Sequence, residues 1–339
     1  MPISGSFAKT TRCTIGGSAC EMRTRGLSRW LRPAMLLAAA VMGAWGCGAP
    51  KPPGKDAAQS AEGFPVLLRD AQGVDVVVEA RPERIVSSAP TVTEILFALG
   101  AGERVVAVTN QCNYPSETRR LAKIGGYWTP SMEKALGVKP DLVIGSRGNP
   151  PDFVSALRRS GCPVFTIDPK TLDDIFAVIG QIARIIGERE AGQRLVVGMR
   201  ERLDAVAARV SDVPEEERPT AFILLQVTPV WTAGSGTFQD DAIRAAGARN
   251  IAGQVKGFRA FSTESLVAAD PDFLLLSTMQ GDPQRMKREV VASPALRRLS
   301  AVQGDGIVLL EADPIMRAGP RIVEAVEAMV SAFYPKRFG

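Results

Sequence analysis

The segment SMEKALGVKPDLVIGS, residues 131–146, has the same layout as the segment STESLVAADPDFLLLS, residues 262–277. Five positions agree at a constant separation of 131 residues: Ser131 and Ser262, Glu133 and Glu264, Pro140 and Pro271, Asp141 and Asp272, and Ser146 and Ser277. In both segments a serine and a nearby glutamate open a short helical pattern, and the apolar run after Pro-Asp predicts a strand. The chain therefore contains the same helix-to-strand unit twice.

Strand-like and helical patterns alternate on both sides of each unit, which predicts an α/β fold with parallel sheets covered on both faces. A second pair of similar segments supports duplication, because EILFALG at 94–100 and DAIRAAG at 241–247 each begin with an acidic residue and end with glycine. We interpret these residues as helix starts and stops. Between the halves, residues 171–210 show helical periodicity, with a break predicted at Gly187 and Gly192.

The sequence thus predicts two similar α/β lobes joined by one long backbone helix of roughly 23 residues, about 35 Å in length. The predicted divisions are a signal region at 1–47, a flexible tether at 48–63, an N-terminal lobe at 64–188, the backbone helix at 189–212 and a C-terminal lobe at 213–339. A ligand site is expected between the lobes, because clefts favour domain interfaces and the carboxyl ends of parallel strands.

The net charge of +5 belongs to the leader. Residues 1–47 hold six of the 41 basic residues and one of the 36 acidic ones, which leaves 35 of each sign in the body. A neutral body gives no support for a nucleic-acid partner.

The leader is typical of an export signal from Met22 onward, with a basic stretch, an apolar run of about a dozen residues and a small residue before Cys47. Such a run is too short to remain as a membrane-spanning helix. Cys47 and the polar segment behind it resemble a bacterial lipobox with its tether. The prediction is a lipid-anchored protein of the periplasm or cell surface, and cleavage by the ordinary signal peptidase is the alternative. Residues 1–21 precede a possible true start at Met22.

Histidine is absent from the whole sequence, and only Cys112 and Cys162 follow Cys47 among the cysteines. Zinc sites of the Cys/His kind and histidine-dependent nucleophile systems are therefore excluded. Because an exported chain can oxidise its thiols, a Cys112–Cys162 disulfide and two free thiols both remain open.

Large aromatic residues stand in turn-rich segments near strand ends. Tyr114, Tyr127 and Trp128 lie in the first half, and Trp231 and Phe258 lie in the second. Leaving rings of this size exposed to water is costly unless something covers them. Together they would line two facing walls of an apolar cleft. The alternative is that each ring only holds its own loop against its own lobe.

Five motifs in order resemble the periplasmic binding proteins for cobalamin, ferric siderophores and haem. They are RIVSSAPTVTEILFALGAGERVVAVTNQCNYP at 84–115, GGYWTPSMEKALGVKPDLVIGS at 125–146, VWTAGSGTFQDDAIRAAGARNIA at 230–252, FSTESLVAADPDFLLL at 261–276 and DPIMRAGPRIVEAV at 313–326. The resemblance implies two Rossmann-like lobes on one rigid helix, and delivery of a ligand to an ABC importer without catalysis.

The resemblance also implies a role for the repeated glutamates. Glu133 and Glu264 match the residues that dock into arginine pockets of the two permease subunits, and a two-fold transporter needs the same group presented twice. The alternative is local, since a carboxylate in the first turn of a helix is stabilised by about 0.3–1 kcal/mol by the helix dipole.

The ligand implied by the resemblance is a metal chelate, with no cofactor and no direct metal ligand from the protein. Cobalamin-binding members place rings at positions matching Tyr114, Tyr127, Trp231 and Phe258, and a polar contact at Asp313. The chain has Ser146 where they have a further tryptophan. Arg147 and Arg317 could instead pair with ligand carboxylates. A corrinoid is expected first, a ferric siderophore second and haem third, and the alternative from another class is an exported enzyme or adaptor on the same fold.

Overall fold

The computed structural model describes residues 63–278 and 282–338. The predicted signal region, Cys47 as the predicted lipobox cysteine, and the predicted tether up to residue 62 lie outside the described residues. Within the described part, no helix has both the length and the apolar composition needed to cross a membrane.

The N-terminal lobe carries a short antiparallel hairpin and a five-stranded parallel sheet. Its strands are β1 (Val66–Arg69), β2 (Asp75–Val78), β3 (Ile85–Ser87), β4 (Val105–Val108), β5 (Ala122–Lys123), β6 (Leu142–Ser146) and β7 (Val164–Ile167). Its helices are α1 (Pro90–Ala98), α2 (Met132–Gly137), α3 (Pro151–Arg159) and α4 (Leu172–Ile185). The parallel sheet has the order β5-β4-β3-β6-β7. Helices cover both faces, and its inner strands accordingly read as continuous apolar runs.

The backbone helix α5 (Arg189–Arg209) follows α4 after a turn at Gly187, whose φ of 75° ends the preceding helix. The break predicted at Gly192 is wrong. Gly192 lies inside α5, and a Cβ there would stand 2.4 Å from the Cβ of Ala183 on α4. The residue therefore allows two helices to pack closely, a tertiary role that the helical pattern does not reveal.

The C-terminal lobe carries a four-stranded parallel sheet and a two-stranded ribbon. Its strands are β8 (Thr220–Leu224), β9 (Trp231–Ala233), β10 (Arg249–Asn250), β11 (Phe258–Ala260), β12 (Phe273–Leu276) and β13 (Ile307–Leu309). Its helices are α6 (Phe238–Ala245), α7 (Thr263–Ala269), α8 (Pro283–Ala292), α9 (Ser300–Gln303), α10 (Ala312–Met316), α11 (Ile322–Phe333) and α12 (Pro335–Phe338). The parallel sheet has the order β10-β8-β12-β13, and β9 pairs with β11 antiparallel.

The five-stranded N-terminal sheet and the four-stranded C-terminal sheet share one order over four strands, β4-β3-β6-β7 and β10-β8-β12-β13. In each, the first strand of the parallel sheet (β3 or β8) lies between the next parallel strand (β4 or β10) on one side and the strand after the repeated helix (β6 or β12) on the other. The predicted architecture of two like α/β lobes is therefore confirmed. One hydrophobic core runs from α1 and α4 through α5 to α6 and α11, so the backbone helix is packed on both lobes.

The repeated segments have the same local structure. Ser131 and Ser262 are the N-caps of α2 and α7, and each side chain accepts a hydrogen bond from the backbone N–H three residues on. Asp141 accepts from the N–H of Arg84 just before β3, and Asp272 accepts from the N–H of Thr220 at the start of β8. In each half the aspartate of the Pro-Asp pair thus fixes the start of the adjacent strand. This explains why both halves carry the pair.

The interpretation of the matching segments 94–100 and 241–247 as helix starts and stops needs a correction. Glu94 does not start a helix, because α1 begins at Pro90, where proline's fixed φ suits the first helical position. Glu94 is the fifth residue of α1 and is buried. Asp241 is the fourth residue of α6. Gly100 and Gly247 do end these helices, with φ values of 77° and 80°.

Cys112 and Cys162 are free thiols, so the disulfide alternative is not adopted. Cys112 lies in the loop after β4, and Cys162 lies just before β7. Two strands, β3 and β6, separate β4 from β7, which corresponds to about 14 Å at the usual strand spacing. That distance is about twice the reach of a disulfide.

Candidate ligand-binding site

Two adjoining cavities of about 1030 Å³ and 950 Å³ form one cleft between the lobes. Both are lined by residues that follow strand ends or helix starts, as expected where parallel strands end. The residues common to both cavities are Trp128, Pro169, Lys170, Phe238, Phe258 and Met316.

The wall from the N-terminal lobe is formed by Tyr127 and Trp128. Their rings meet edge to face with centroids 4.5 Å apart. The Tyr127 hydroxyl is 2.6 Å from Oγ of Ser146, and burial raises the pKa of this phenol above its ordinary value. Tyr127 therefore stays protonated at neutral pH. Trp128 is 56% exposed and offers its ring to the cleft.

Asn149 supports this wall from beneath and was not identified from the sequence. Its buried side chain accepts hydrogen bonds from Oγ of Ser88 and the N–H of Ser146, both at 2.9 Å, and donates to the carbonyl groups of Ser88 and Tyr127. A Cβ at Gly148 would approach the Tyr127 hydroxyl to 2.2 Å. The Gly-Asn pair thus keeps room for the tyrosine and fixes its loop.

The wall from the C-terminal lobe is the β9–β11 ribbon together with the start of α6. Trp231 pairs with Ala260 and Phe258 pairs with Ala233 in the ribbon register. Both rings are partly exposed, and Phe238 at the first position of α6 lines both cavities. The sequence located Trp231 and Phe258 in loops. The strand pairing and Phe238 were missed because three-residue strands give little periodic signal.

One end of the cleft is polar. Asp313 on α10 and Arg317 just after it, both predicted to contact the ligand, line the second cavity. Arg317 is already paired, at 2.7 Å from Asp313 and 2.7 Å from Glu94. Its side chain is 13% exposed. The Arg317 guanidinium is therefore already paired with two carboxylates of the protein.

Tyr114 is placed differently from the prediction. It lies outside both cavities of the cleft and lines a separate depression of about 580 Å³ beside α5. Its ring lies 4.0 Å from the guanidinium of Arg321, which draws it onto the seam between the lobes. The assignment of Tyr114 to the cleft is corrected on this geometry.

The other basic groups of the cleft are mostly paired within it. Asp168 meets Lys170 at 2.6 Å and Arg147 at 3.7 Å, and Arg285 meets Glu289 at 2.9 Å. Lys256 lines the first cavity, and no ion pair to it is found among the described residues. The cleft is thus apolar in its walls and close to neutral in charge.

Glu133 and Glu264 are exposed at the second positions of α2 and α7, and neither lines the cleft. Glu264 also accepts a hydrogen bond from Oγ of Ser262 at 2.8 Å, which lowers the pKa of its carboxyl. Both residues therefore face solvent. In the part of the chain that the structure describes, no group of three or more His, Cys, Asp or Glu side chains is placed to hold a metal ion.

A large aromatic cleft between two like lobes on a shared helix defines a two-lobed ligand-binding protein. The family described as periplasmic binding protein matches residues 85–314, and the chain belongs to that family. This membership confirms the predicted family, fold and class, a substrate-binding protein of an ABC transporter rather than an enzyme.

Three relatives illustrate the similarity. An uncharacterized ABC transporter substrate-binding lipoprotein, YvrC of Bacillus subtilis strain 168, is 31% identical, covering 90% of this chain and 97% of that protein. The vitamin B12-binding protein of Vibrio cholerae serotype O1 is also 31% identical, covering 72% and 87%. The solved periplasmic heme-binding protein RhuT of Roseiflexus sp. RS-1, in its apo form, superposes with a TM-score of 0.66 at 31% identity, covering 75% and 98%.

Proposed function

We propose that this protein captures cobalamin or a closely related corrinoid outside the cytoplasm and delivers it to an ABC importer. The observation that carries the proposal is the cleft itself, which combines large size, aromatic walls and near-neutral charge.

Size favours a large ligand. Cavities for drug-sized molecules are about 300–1,000 Å³, and each of the two adjoining cavities here reaches the top of that range. The aromatic side chains stand on both lobes, so a broad macrocycle could contact rings on each side. A corrinoid provides such faces.

Charge argues against a polyanionic ligand. The predicted carboxylate partners Arg147 and Arg317 already pair with Asp168, Asp313 and Glu94. A carboxylate-rich ligand would have to compete with these groups, whereas a corrin with amide side chains need not. Asp313 remains available to accept hydrogen bonds from such amides, since it lines the cleft and is 33% exposed.

Haem is disfavoured by its need for an axial ligand. The sequence has no histidine, and Tyr114 lies outside the cleft. Tyr127 remains, but its hydroxyl is engaged with Ser146 and its pKa is raised, which opposes the phenolate that iron prefers. The haem-binding name of one relative therefore does not decide the ligand here.

A ferric siderophore is the second candidate, and Lys256 is the observation that favours it. Lys256 lines the first cavity, and no ion pair joins it to a described side chain. An anionic chelate would gain one unopposed charge contact there. Reversing this residue to glutamate should weaken a ferric chelate and leave a neutral corrinoid unaffected.

The proposal includes the partner and the location. Glu133 and Glu264, on equivalent helices of the two lobes, would each meet a basic pocket of one permease subunit. Cys47 would carry the lipid that keeps the protein at the outer face of the cytoplasmic membrane.

Isothermal titration of the purified protein with cyanocobalamin, a ferric hydroxamate and haemin tests the ligand. Saturable binding of one cyanocobalamin per chain, with quenching of Trp128 and Trp231 fluorescence, is expected. Tight binding of the hydroxamate or haemin with no response to cyanocobalamin would reject the corrinoid assignment.

A further inference from the structure

Glu94 joins the two lobes through a buried ion cluster at the polar end of the cleft. It belongs to α1 of the N-terminal lobe, and its side chain is 2% exposed. Its two oxygens accept hydrogen bonds from Nε and Nη2 of Arg321 at 2.9 Å and 2.8 Å. One of these oxygens also accepts a hydrogen bond from Nη1 of Arg317 at 2.7 Å. Both arginines belong to the C-terminal lobe, more than 220 residues away.

The cluster is closed by further contacts across the same seam. Arg317 donates to the side-chain oxygen of Asn113 at 2.8 Å and to the carbonyl of Gln111 at 3.3 Å. Asn113 in turn donates to Asp313 at 3.0 Å. Two carboxylates therefore balance two guanidiniums, with the partners distributed over both lobes.

Removal of one member would leave the others poorly compensated. A buried charge that loses its partner is strongly destabilising, because the desolvation cost stays while the attraction is lost. Without the Glu94 carboxylate, Asp313 is the remaining described carboxylate within ion-pair distance of Arg317 and Arg321. The simplest relief is for the C-terminal lobe to move away, which admits water to the two cations.

We infer that Glu94 is the positioning residue that sets the separation of the lobes, and so presents Arg317 and Asp313 at the fixed geometry a ligand meets. Part of this inference rests on the proposed function, since Asp313 and Arg317 are ligand contacts only if the cleft binds the ligand. The separation itself does not depend on what is bound.

The test measures the distance between lobes in ligand-free protein. Spin labels at Arg159→Cys and Arg297→Cys, one exposed site on each lobe, are introduced into a Cys162→Ser background and read by double electron–electron resonance. Glu94→Gln keeps the shape and removes the charge. The expected result is a longer mean distance and a wider distribution than in the parent protein.

Two further variants make the result specific. Arg321→Gln removes the partner on the other lobe without altering a group that lines the cleft, so it should widen the distribution even if Glu94→Gln fails to fold. Asp70→Asn is the matched control, because Asp70 is a buried carboxylate paired with Arg158 at 2.5 Å inside the N-terminal lobe. It should leave the inter-lobe distance unchanged.

Cyanocobalamin titration gives the second readout. Glu94→Gln and Arg321→Gln should raise the dissociation constant by about tenfold, within the range usual for coupled sites. Distributions identical to the parent in both variants, or equal widening in Asp70→Asn, would overturn the inference. If the parent protein does not bind cyanocobalamin, the ligand proposal fails, and the ligand-free distances still decide the role of Glu94.

Discussion

Replacing Trp128 by alanine should weaken corrinoid binding by an amount that follows from its exposure. The side chain is 56% exposed in the free protein. A tryptophan carries up to about 250 Å², so about 140 Å² of it is open to a ligand. At about 25 cal/mol per Å², full cover would be worth about 3.5 kcal/mol.

The expected loss is smaller than this limit. A ligand covers one side of the ring, and alanine keeps part of the contact, so about half of the area is lost to binding. That corresponds to about 1.5–2 kcal/mol, or an increase of about 10- to 30-fold in the dissociation constant for cyanocobalamin. Isothermal titration of Trp128→Ala measures it directly.

Two controls separate ligand contact from loop support. Trp128→Phe keeps an aromatic face and should lose less than about 1 kcal/mol. Val197→Ala removes a side chain on α5 that is 53% exposed and lies outside the cleft, so its affinity should equal that of the parent. If Trp128→Ala binds as tightly as Val197→Ala but unfolds at a lower temperature, the ring only holds its loop, and the cleft assignment of Trp128 is refuted.

Three other predictions follow from the same structure. Charge reversal of Glu133 together with Glu264 should abolish stimulation of the importer's ATPase and leave ligand affinity unchanged, whereas a loss of affinity would place these residues in the binding site. Asn149→Leu should lower the free energy of unfolding by about 3 kcal/mol in urea titration, because the groups of Ser88, Ser146 and Tyr127 that are hydrogen-bonded to Asn149 each lose that partner. A loss below about 1 kcal/mol would contradict the structural role given to Asn149. Burial raises the pKa of the Cys162 thiol to about 11, so its reaction with Ellman's reagent at pH 8 should be about 100-fold slower than that of free cysteine and should accelerate as the pH rises toward 11. A rate that is flat with pH would show that access, not ionisation, limits the reaction.

The repeated helix-to-strand unit could be predicted from the sequence because its signals are local. A serine cap and a glutamate in the first turn act within one helix, and the apolar run after Pro-Asp marks the strand that follows it. The structure confirms both caps and shows Asp141 and Asp272 fixing the neighbouring strand starts. The alternation that gave the α/β class is equally local, since each strand carries its own apolar run.

Features that depend on the meeting of distant segments could not be predicted in this way. In the sequence Glu94 looks like an ordinary acidic residue of a helix, because its partners Arg317 and Arg321 belong to the other lobe. Tyr114 satisfied the rule that a loop aromatic seeks cover, but the rule does not say which surface covers it. Arg321 provides that surface, on the seam instead of in the cleft.

The lobes agree where a symmetric partner would bind and differ where an asymmetric ligand would lie. The helices that present Glu133 and Glu264 have the same cap, register and following strand in both halves. The cleft walls share no such match, because the Tyr127–Trp128 turn has no counterpart in the β9–β11 ribbon that faces it across the cleft. Under the proposed function, a two-fold permease requires equal surfaces, and a corrinoid with unlike faces requires unequal walls. Two like lobes whose walls differ at the cleft satisfy both requirements in a single chain.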